Sequence, residues 1–368
     1  MTFFVDFESI FPHSAGQTFE FAQKKIMRTT QNHFFGSLCA AMLILVGTGT
    51  SHLAQAELLL TSLSGQGTNN IGSFTLTANY ITNLVKFTDR ALFMSEQAPT
   101  GYVGVLGVQN GVGGGYLVDY DGHIRAGYTN TPAGRFTTFV EFGPDGLGCP
   151  NCNAYVSYGN TSGNLGVVER YSFFGADLGP FTSGYAYDRS TAIYFNGAYM
   201  YLIDYQVDTV VRFNATTGVR DAAWSITGPH GSTTLTFMPG STNDLLITTD
   251  FGSTVKHYKL TATGGTDLGI FANPGAVGSG SSVNEMAYGP DGNLYVNDTS
   301  GHNPILVFNG TNGALLAGYS PNVAGFSNGE GLAFIIPEPA TFSLMGLGLL
   351  SLFLSRRNRR RALVSLNR

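Results

Sequence analysis

Residues 286–298 read Met286-Ala287-Tyr288-Gly289-Pro290-Asp291-Gly292-Asn293-Leu294-Tyr295-Val296-Asn297-Asp298. Two apolar runs flank a Gly-Pro-Asp-Gly turn. Proline fixes φ at the turn, and the Asp-Gly pair closes a hairpin between two short strands. Ile305-Leu306-Val307-Phe308 follows as a third strand, then the turn Asn309-Gly310-Thr311-Asn312-Gly313 and a fourth run from Ala314 to Tyr319. The unit therefore predicts three or four antiparallel strands, and Gly329 to Phe334 reads as the opening strand of another.

Weaker copies precede it. Phe139 to Gly146 ends in the same Gly-Pro-Asp-Gly. Tyr185 to Ser190 stands before Ala198 to Asp204, and Val210 to Asn214 with Thr216-Thr217-Gly218 parallels Leu306 to Asn309 with Thr311-Asn312-Gly313. Leu235 to Gly240 stands before Asp244 to Asp250, with Val255 to Tyr258 as third strand and Thr263-Gly264-Gly265 as its turn. The turns at Pro144, near Arg189, at Pro239 and at Pro290 recur every ~45–50 residues, the spacing of a propeller blade. Other short alternating runs include Gly72 to Thr77, Tyr102 to Val108, Tyr116 to Tyr120 and Ala154 to Tyr158. The body, residues 57–336, divides into about six four-stranded blades, with five or seven as the alternatives. The expected fold class is all-β, a β-propeller flanked by an N-terminal signal segment and a short C-terminal hydrophobic helix.

Composition agrees. Charged residues are only 12%, Gly reaches 49 and aromatics 12%, which suits short strands and tight turns over helical bundles. The net charge of −5 gives no reason to expect nucleic-acid binding.

The Tyr-Gly-Pro-Asp-Gly-Asn-Leu-Tyr-Val-Asn-Asp core resembles the repeat of NHL-type and gluconolactonase-like six-bladed propellers. That resemblance implies a ring closed by pairing the two ends of the body, here Gly329 to Ile336 beside the residues after Glu57. It implies no activity, because the fold hosts enzymes, binding modules and scaffolds. Enzymatic members hold a divalent cation, usually Ca2+, in the central channel, and Glu141, Asp204, Glu285 and Asp298 are the candidate ligands here. The alternative has Asp204 and Asp298 ending strands and capping turns. Glu141 and Glu285 stand out more, since acids are rare in this chain and both interrupt apolar strands.

Other chemistry is poorly represented. There is no Gly-x-Ser-x-Gly, HExxH or P-loop. His123, His230, His257 and His302 are scattered and read as solvated or locally hydrogen-bonded. Gly111 to Gly115 leads into no helix and reads as a flexible turn. Cys149-Pro150-Asn151-Cys152 lacks both a second CxxC and a βαβ setting, so it reads as a small disulfide stapling a surface loop.

The two ends carry addresses. Residues 1–26 are acidic where a secretory leader should be basic, and read as an extension from a start codon placed too early. Residues 27–56 carry Arg28, an apolar run from Phe34 to Val46, and Ala54-Gln55-Ala56, whose Ala54 and Ala56 form a cleavage site. At the other end, residues 337–361, Pro337-Glu338-Pro339 precedes an apolar run from Ala340 to Leu354 and then Arg356, Arg357, Arg359, Arg360 and Arg361. A helix over that run falls short of the ~30 Å hydrocarbon core, while the arginines favour the cytoplasmic side. Residues 362–368 form a short tail.

This order closely resembles the PEP-CTERM sorting signal. The resemblance implies a Gram-negative, exopolysaccharide-producing host, transient anchoring in the inner membrane, processing by exosortase near the Pro-Glu-Pro, and release to the cell surface or extracellular matrix. The expected partners are the secretion machinery, exosortase and exopolysaccharide. Three readings of the body remain: a non-enzymatic interaction or structural propeller, a Ca2+-dependent hydrolase or lactonase, and a polysaccharide-binding module.

Overall fold

A computed structural model describes residues 58–335, apart from 66–67, 77–79, 88–90, 96–100, 111, 130–134, 144–151, 161–164, 278–282, 299–304 and 320–330. The body is an all-β propeller of four-stranded blades. The described strands form six four-stranded antiparallel sheets. The first joins β1 (Leu58–Gly65), β2 (Thr68–Thr75) and β3 (Tyr80–Lys86) to the last strand of the chain, β24 (Leu332–Ile335), in the order β24-β1-β2-β3. The second holds β4 (Ala91–Ser95), β5 (Tyr102–Gln109), β6 (Val112–Asp119) and β7 (Ile124–Tyr128). The third holds β8 (Arg135–Gly143), β9 (Asn153–Asn160), β10 (Val167–Tyr171) and β11 (Asp177–Pro180). The fourth is β12 (Ser190–Asn196), β13 (Tyr199–Asp204), β14 (Thr209–Asn214) and β15 (Arg220–Thr227). The fifth is β16 (Leu235–Phe237), β17 (Asp244–Thr249), β18 (Thr254–Leu260) and β19 (Gly265–Ala272). The sixth is β20 (Val283–Tyr288), β21 (Leu294–Asp298), β22 (Ile305–Phe308) and β23 (Leu315–Tyr319).

The innermost strands touch in cyclic order: β24 meets β4, then β8, β12, β16 and β20, and β20 meets β24 again. The two ends of the body pair through β24 and β1, with Leu59 opposite Phe334 and Thr61 opposite Leu332. Each sheet is a meander, so its second hairpin turn and its link to the next sheet fall at the same end of the strands.

The hairpin from β20 to β21 forms as its residues dictate. Gly289 N–H donates to Asn293 O at 2.8 Å, and Gly292 takes a left-handed φ of 77°. Asp291 accepts the Asn293 backbone N–H, and its other oxygen receives Asn293 Nδ2 at 2.7 Å and the Tyr295 hydroxyl at 3.1 Å. The turns after β14 and β22 repeat one device. Asn214 Oδ1 accepts the N–H groups of Thr216 and Thr217, and Asn309 Oδ1 accepts those of Thr311 and Asn312. Both turns end in a glycine at φ 69°. A Cβ on Gly218 would stand 1.9 Å from Phe181 O, and one on Gly313 1.7 Å from Phe271 O, each belonging to the preceding sheet's outer edge. The turn glycine is thus also the point where successive sheets touch.

The core lies between sheets. Tyr201, Trp224 and Phe237 pack across the fourth and fifth sheets, with ring centroids 5.0–5.4 Å apart. Trp224 donates its indole N–H to Thr261 O at 3.1 Å, satisfying the one polar atom this burial would strand.

Two expectations need adjustment. The repeat turn placed near Arg189 lies instead at Gly197, between β12 and β13, because Ser190 to Asn196 is itself the opening strand. The Gly111 to Gly115 run is largely strand β6, where Gly115 lies against Val140 and Val156 of the neighbouring sheet. The signal segment (27–56) and the expected C-terminal hydrophobic helix lie outside the described residues. Among the described residues no helix is long and apolar enough to cross a membrane.

Candidate functional site: a polar belt around the ring

The four candidate acids sit on three different sheets: Glu141 on β8, Asp204 on β13, Glu285 on β20 and Asp298 on β21. All four are buried. They do not gather. Among the described residues the group of three or more His, Cys, Asp or Glu at ligand spacing is Asp119, Asp121 and His123, which contains none of them.

Each acid instead serves its own neighbours. Glu285 Oε2 accepts the Leu332 N–H of β24 at 3.0 Å and the Met94 N–H of β4 at 3.1 Å. One carboxylate thereby ties three inner strands together. Beside it, Asn297 donates Nδ2 to Gly331 O at 3.1 Å, so the start of β24 is held by its carbonyl and its next amide. Glu141 Oε1 accepts the Ser95 hydroxyl and the Phe142 N–H. Asp204 Oδ2 accepts the Tyr185 hydroxyl at 2.8 Å. Burial pushes the Asp204 carboxyl up, and burial with the adjoining carboxylate pushes the Tyr185 phenol up to about 12. Asp298 closes β21 opposite Val283.

Hydroxyls continue the pattern. Thr138 Oγ1 on β8 meets Ser190 Oγ on β12 at 3.2 Å. Thr191 Oγ1 donates to Ser232 O at 3.0 Å, just before β16, and Thr233 Oγ1 donates to Val283 O of β20. Together with the Ser95–Glu141 and Glu285 bonds, these cross five of the six junctions between successive inner strands, and Glu285 bridges the sixth, β24 to β4, by accepting from both. A buried polar group costs free energy unless it is hydrogen-bonded, and a bond to an ionised carboxylate is among the stronger kinds. The belt therefore stabilises the ring by giving one oxygen each of Glu141, Glu285 and Asp204 to backbone or hydroxyl donors, while Asp204 Oδ1 is buried without a hydrogen-bond partner. No sequence motif announced it, because Ser and Thr beside strands look like turn residues. The signal that was available was the rarity of Glu inside apolar strands.

The Asp119–Asp121–His123 group is a turn. Asp119 Oδ1 accepts the N–H groups of Asp121 and His123, and Oδ2 is held by the Arg125 guanidinium. That ion pair and the backbone bonds hold its carboxyl below the usual range against the opposing effect of burial. The remaining histidines behave as the sequence suggested where they are described. His257 Nε2 lies 3.0 Å from Asp244 Oδ1, and His230 Nδ1 lies 2.7 Å from Asp208 Oδ2. Cys152 is buried and disulfide-bonded; Cys149 lies outside the described residues. So do Ala54, Ala56, His302, Pro337, Glu338, Pro339 and the arginines of the tail.

Comparison with known proteins adds two findings. Residues 336–360 match the PEP-CTERM protein-sorting motif, the mark of exported, membrane-processed proteins sorted by exosortase. The motif begins one residue after β24 ends. Among solved structures, the chain is similar to a functionally unknown protein from Desulfotomaculum acetoxidans DSM 771 (13% identity, 77% of this chain and 100% of that one, TM-score 0.52). It is also similar to a chain of a nidogen/laminin complex (10% identity, 77% and 100%, TM-score 0.50). A putative 6-phosphogluconolactonase from Bacteroides fragilis NCTC 9343 aligns at 13% identity over 76% and 98%, with TM-score 0.49. At these identities the likeness to the first two bears on the fold alone. No curated protein matches the sequence.

Proposed function

We propose that this chain is an exported, non-enzymatic propeller that acts in interaction or structure at the cell surface or in the extracellular matrix. Its six sheets stand as six blades around one channel, closed by β24. Residues 27–56 lead it into the secretory route, with cleavage after Ala56, and Cys149 pairs with Cys152 once outside the cytosol. The apolar run from Ala340 to Leu354, with Arg356 to Arg361 on the cytoplasmic side, holds it briefly in the inner membrane until exosortase cuts near Pro337-Glu338-Pro339. The observation that carries this reading is the sorting motif at 336–360, set directly after the strand that closes the ring.

The hydrolase or lactonase reading finds less support. It needs Glu141, Asp204, Glu285 and Asp298 around one cation, and among the described residues no three of them lie at ligand spacing. The test is expression of the full chain, tagged directly after Ala56 and at its C-terminus, in an exopolysaccharide-producing Gram-negative host with and without its exosortase gene. The exosortase-positive strain should release a form that keeps the internal tag and has lost the C-terminal one. In the deletion strain both tags should stay with the inner membrane. Identical tag patterns in the two strains would overturn the reading.

A further inference from the structure

We propose that the turns joining β13 to β14 and β17 to β18, with the link from β15 to β16, form a platform for a neutral pyranose of a polysaccharide, Phe251 supplying the stacking ring and His230 the hydrogen-bonding edge. This deepens the interaction reading above by giving it a site and a ligand class.

Four non-glycine residues in the described chain have a left-handed backbone: Asn110, Asp208, Asp250 and Phe251. Three of them belong to this one cluster. Asn and Asp tolerate such φ values and are common in tight hairpin turns. Phe251 is different. It sits at φ 59° in the second central position of the turn from Thr249 to Gly252, closed by Gly252 N–H on Thr249 O at 3.1 Å, where glycine is the ordinary choice. The strain does not serve burial, since Phe251 is 54% exposed. The surroundings hold it in place. Asp250 N–H donates to His230 O at 2.6 Å, Ser253 N–H donates to Asp250 O at 3.2 Å, and Thr254 Oγ1 donates to Asp250 Oδ2 at 3.2 Å. Gly231 leaves the room: a Cβ there would come within 2.7 Å of Phe251 N and 3.0 Å of its ring. An outlier enforced by its neighbours, presenting an apolar ring to solvent, is the pattern of a binding element.

The polar edge is equally fixed. Asp208 Oδ1 accepts Gly231 N–H at 2.8 Å, while Oδ2 takes the Nδ1 hydrogen of His230 at 2.7 Å. That bond sets the tautomer and leaves Nε2 as the outward hydrogen-bonding atom. The imidazole meets the phenyl ring edge to face, 5.1 Å between centroids at 80°, so at least one face of the phenyl stays clear of it. Val207, 59% exposed, precedes Asp208 in the same turn.

A rigid ring face beside a single outward hydrogen-bonding atom matches the C–H face and rim hydroxyl of a pyranose. A stable protein interface needs about 800 Å² per partner with an apolar centre, far more than these few side chains supply. The turns involved lie at the strand ends opposite the one where β24 leaves the propeller toward the sorting motif.

The test is affinity electrophoresis of the purified full chain in gels cast with hydroxyethylcellulose, soluble starch or dextran. At least one polymer should retard the wild type. Phe251→Gly should lower that affinity about tenfold, the scale of one lost aromatic contact, while its thermal midpoint holds or rises because the strain is relieved. Phe251→Tyr should retain retardation, and His230→Ala should weaken it. No retardation in any gel, or equal retardation of Phe251→Gly and wild type, would overturn the proposal. So would a fall in the thermal midpoint of Phe251→Gly, or concentration-dependent self-association abolished by that change. None of these outcomes depends on whether exosortase processes the tail.

Discussion

Glu285 shows how much one side chain can decide. It is a buried carboxylate in an apolar strand, and its two backbone donors come from strands on two other sheets, β24 and β4. Replacing it with Ala leaves two buried N–H groups without their acceptor. The expected loss is about 2–4 kcal/mol of unfolding free energy. Glu285→Gln keeps an acceptor oxygen and should lose less than half of that, as read from urea denaturation midpoints of the two variants. Equal losses would mean that packing, and not acceptance of these donors, is what Glu285 contributes. Asp244 gives a pH-dependent case at the same scale. Its oxygens receive Lys259 Nζ at 2.8 and 3.0 Å and the Ser241 hydroxyl at 2.7 Å, and these donors lower its pKa to about 2. The folded value lies below the unfolded one of about 3.9, so the contribution is present above pH 4 and fades as pH falls toward 2. Asp244→Asn should therefore cost about 1 kcal/mol at pH 6 and close to nothing at pH 2. Urea midpoints of wild type and variant that stay equally far apart at both pH values would refute it.

Among elements, the middle strands of the sheets were the most legible and β11 and β19 at the outer edge the least, and burial explains the division. Ile305–Phe308 and β21 are buried at every position, and β17 nearly so, which gives the apolar runs that sequence reading depends on. β11 and most of β19 are exposed or half-exposed, so nothing forces their side chains to alternate. Their pairing is fixed by the preceding turn instead. The same reasoning covers the candidate site. Glu141 and Glu285 could be singled out as rare acids in apolar strands, but their partners are backbone amides and a serine hydroxyl from distant segments, which no local motif records. The Thr216–Gly218 and Thr311–Gly313 turns could be matched as repeats, yet their second role, contact with the preceding sheet, appears only in three dimensions. Gly313→Ala tests that role. The left-handed backbone alone costs about 1–2 kcal/mol for an L side chain, and the methyl would also collide with Phe271 O. A loss above about 2 kcal/mol is expected, against about 1 kcal/mol for Gly292→Ala, whose φ is also positive but whose Cβ would meet nothing within 4 Å. Equal losses at the two glycines would show that the inter-sheet contact adds nothing.

For the whole molecule, the order of segments along the chain matters more than any single site. β24 is the last described strand and the inner strand of the first sheet, so the ring closes only when the end of the body returns to its beginning. The sorting motif starts at residue 336, immediately beyond it. A cut anywhere within the motif spares the closing strand, whereas a cut a few residues earlier removes the partner of β1 and both groups held by Glu285 and Asn297. Two truncations separate these cases. A chain ending at Ile336 should melt within about 2 °C of the full chain, because no described contact of the propeller is lost. A chain ending at Gly331 should lose the inner strand of one sheet, the pairing partner of β1 and one of the two backbone donors to Glu285. Its midpoint should fall by more than about 10 °C, and limited proteolysis should open the first sheet before the others. Should the two truncations melt alike, closure would not depend on β24, and the position of the sorting motif would carry no structural meaning. The expected difference would mean that processing is confined to a segment the fold can spare, so an exported chain can lose its tail and keep its ring.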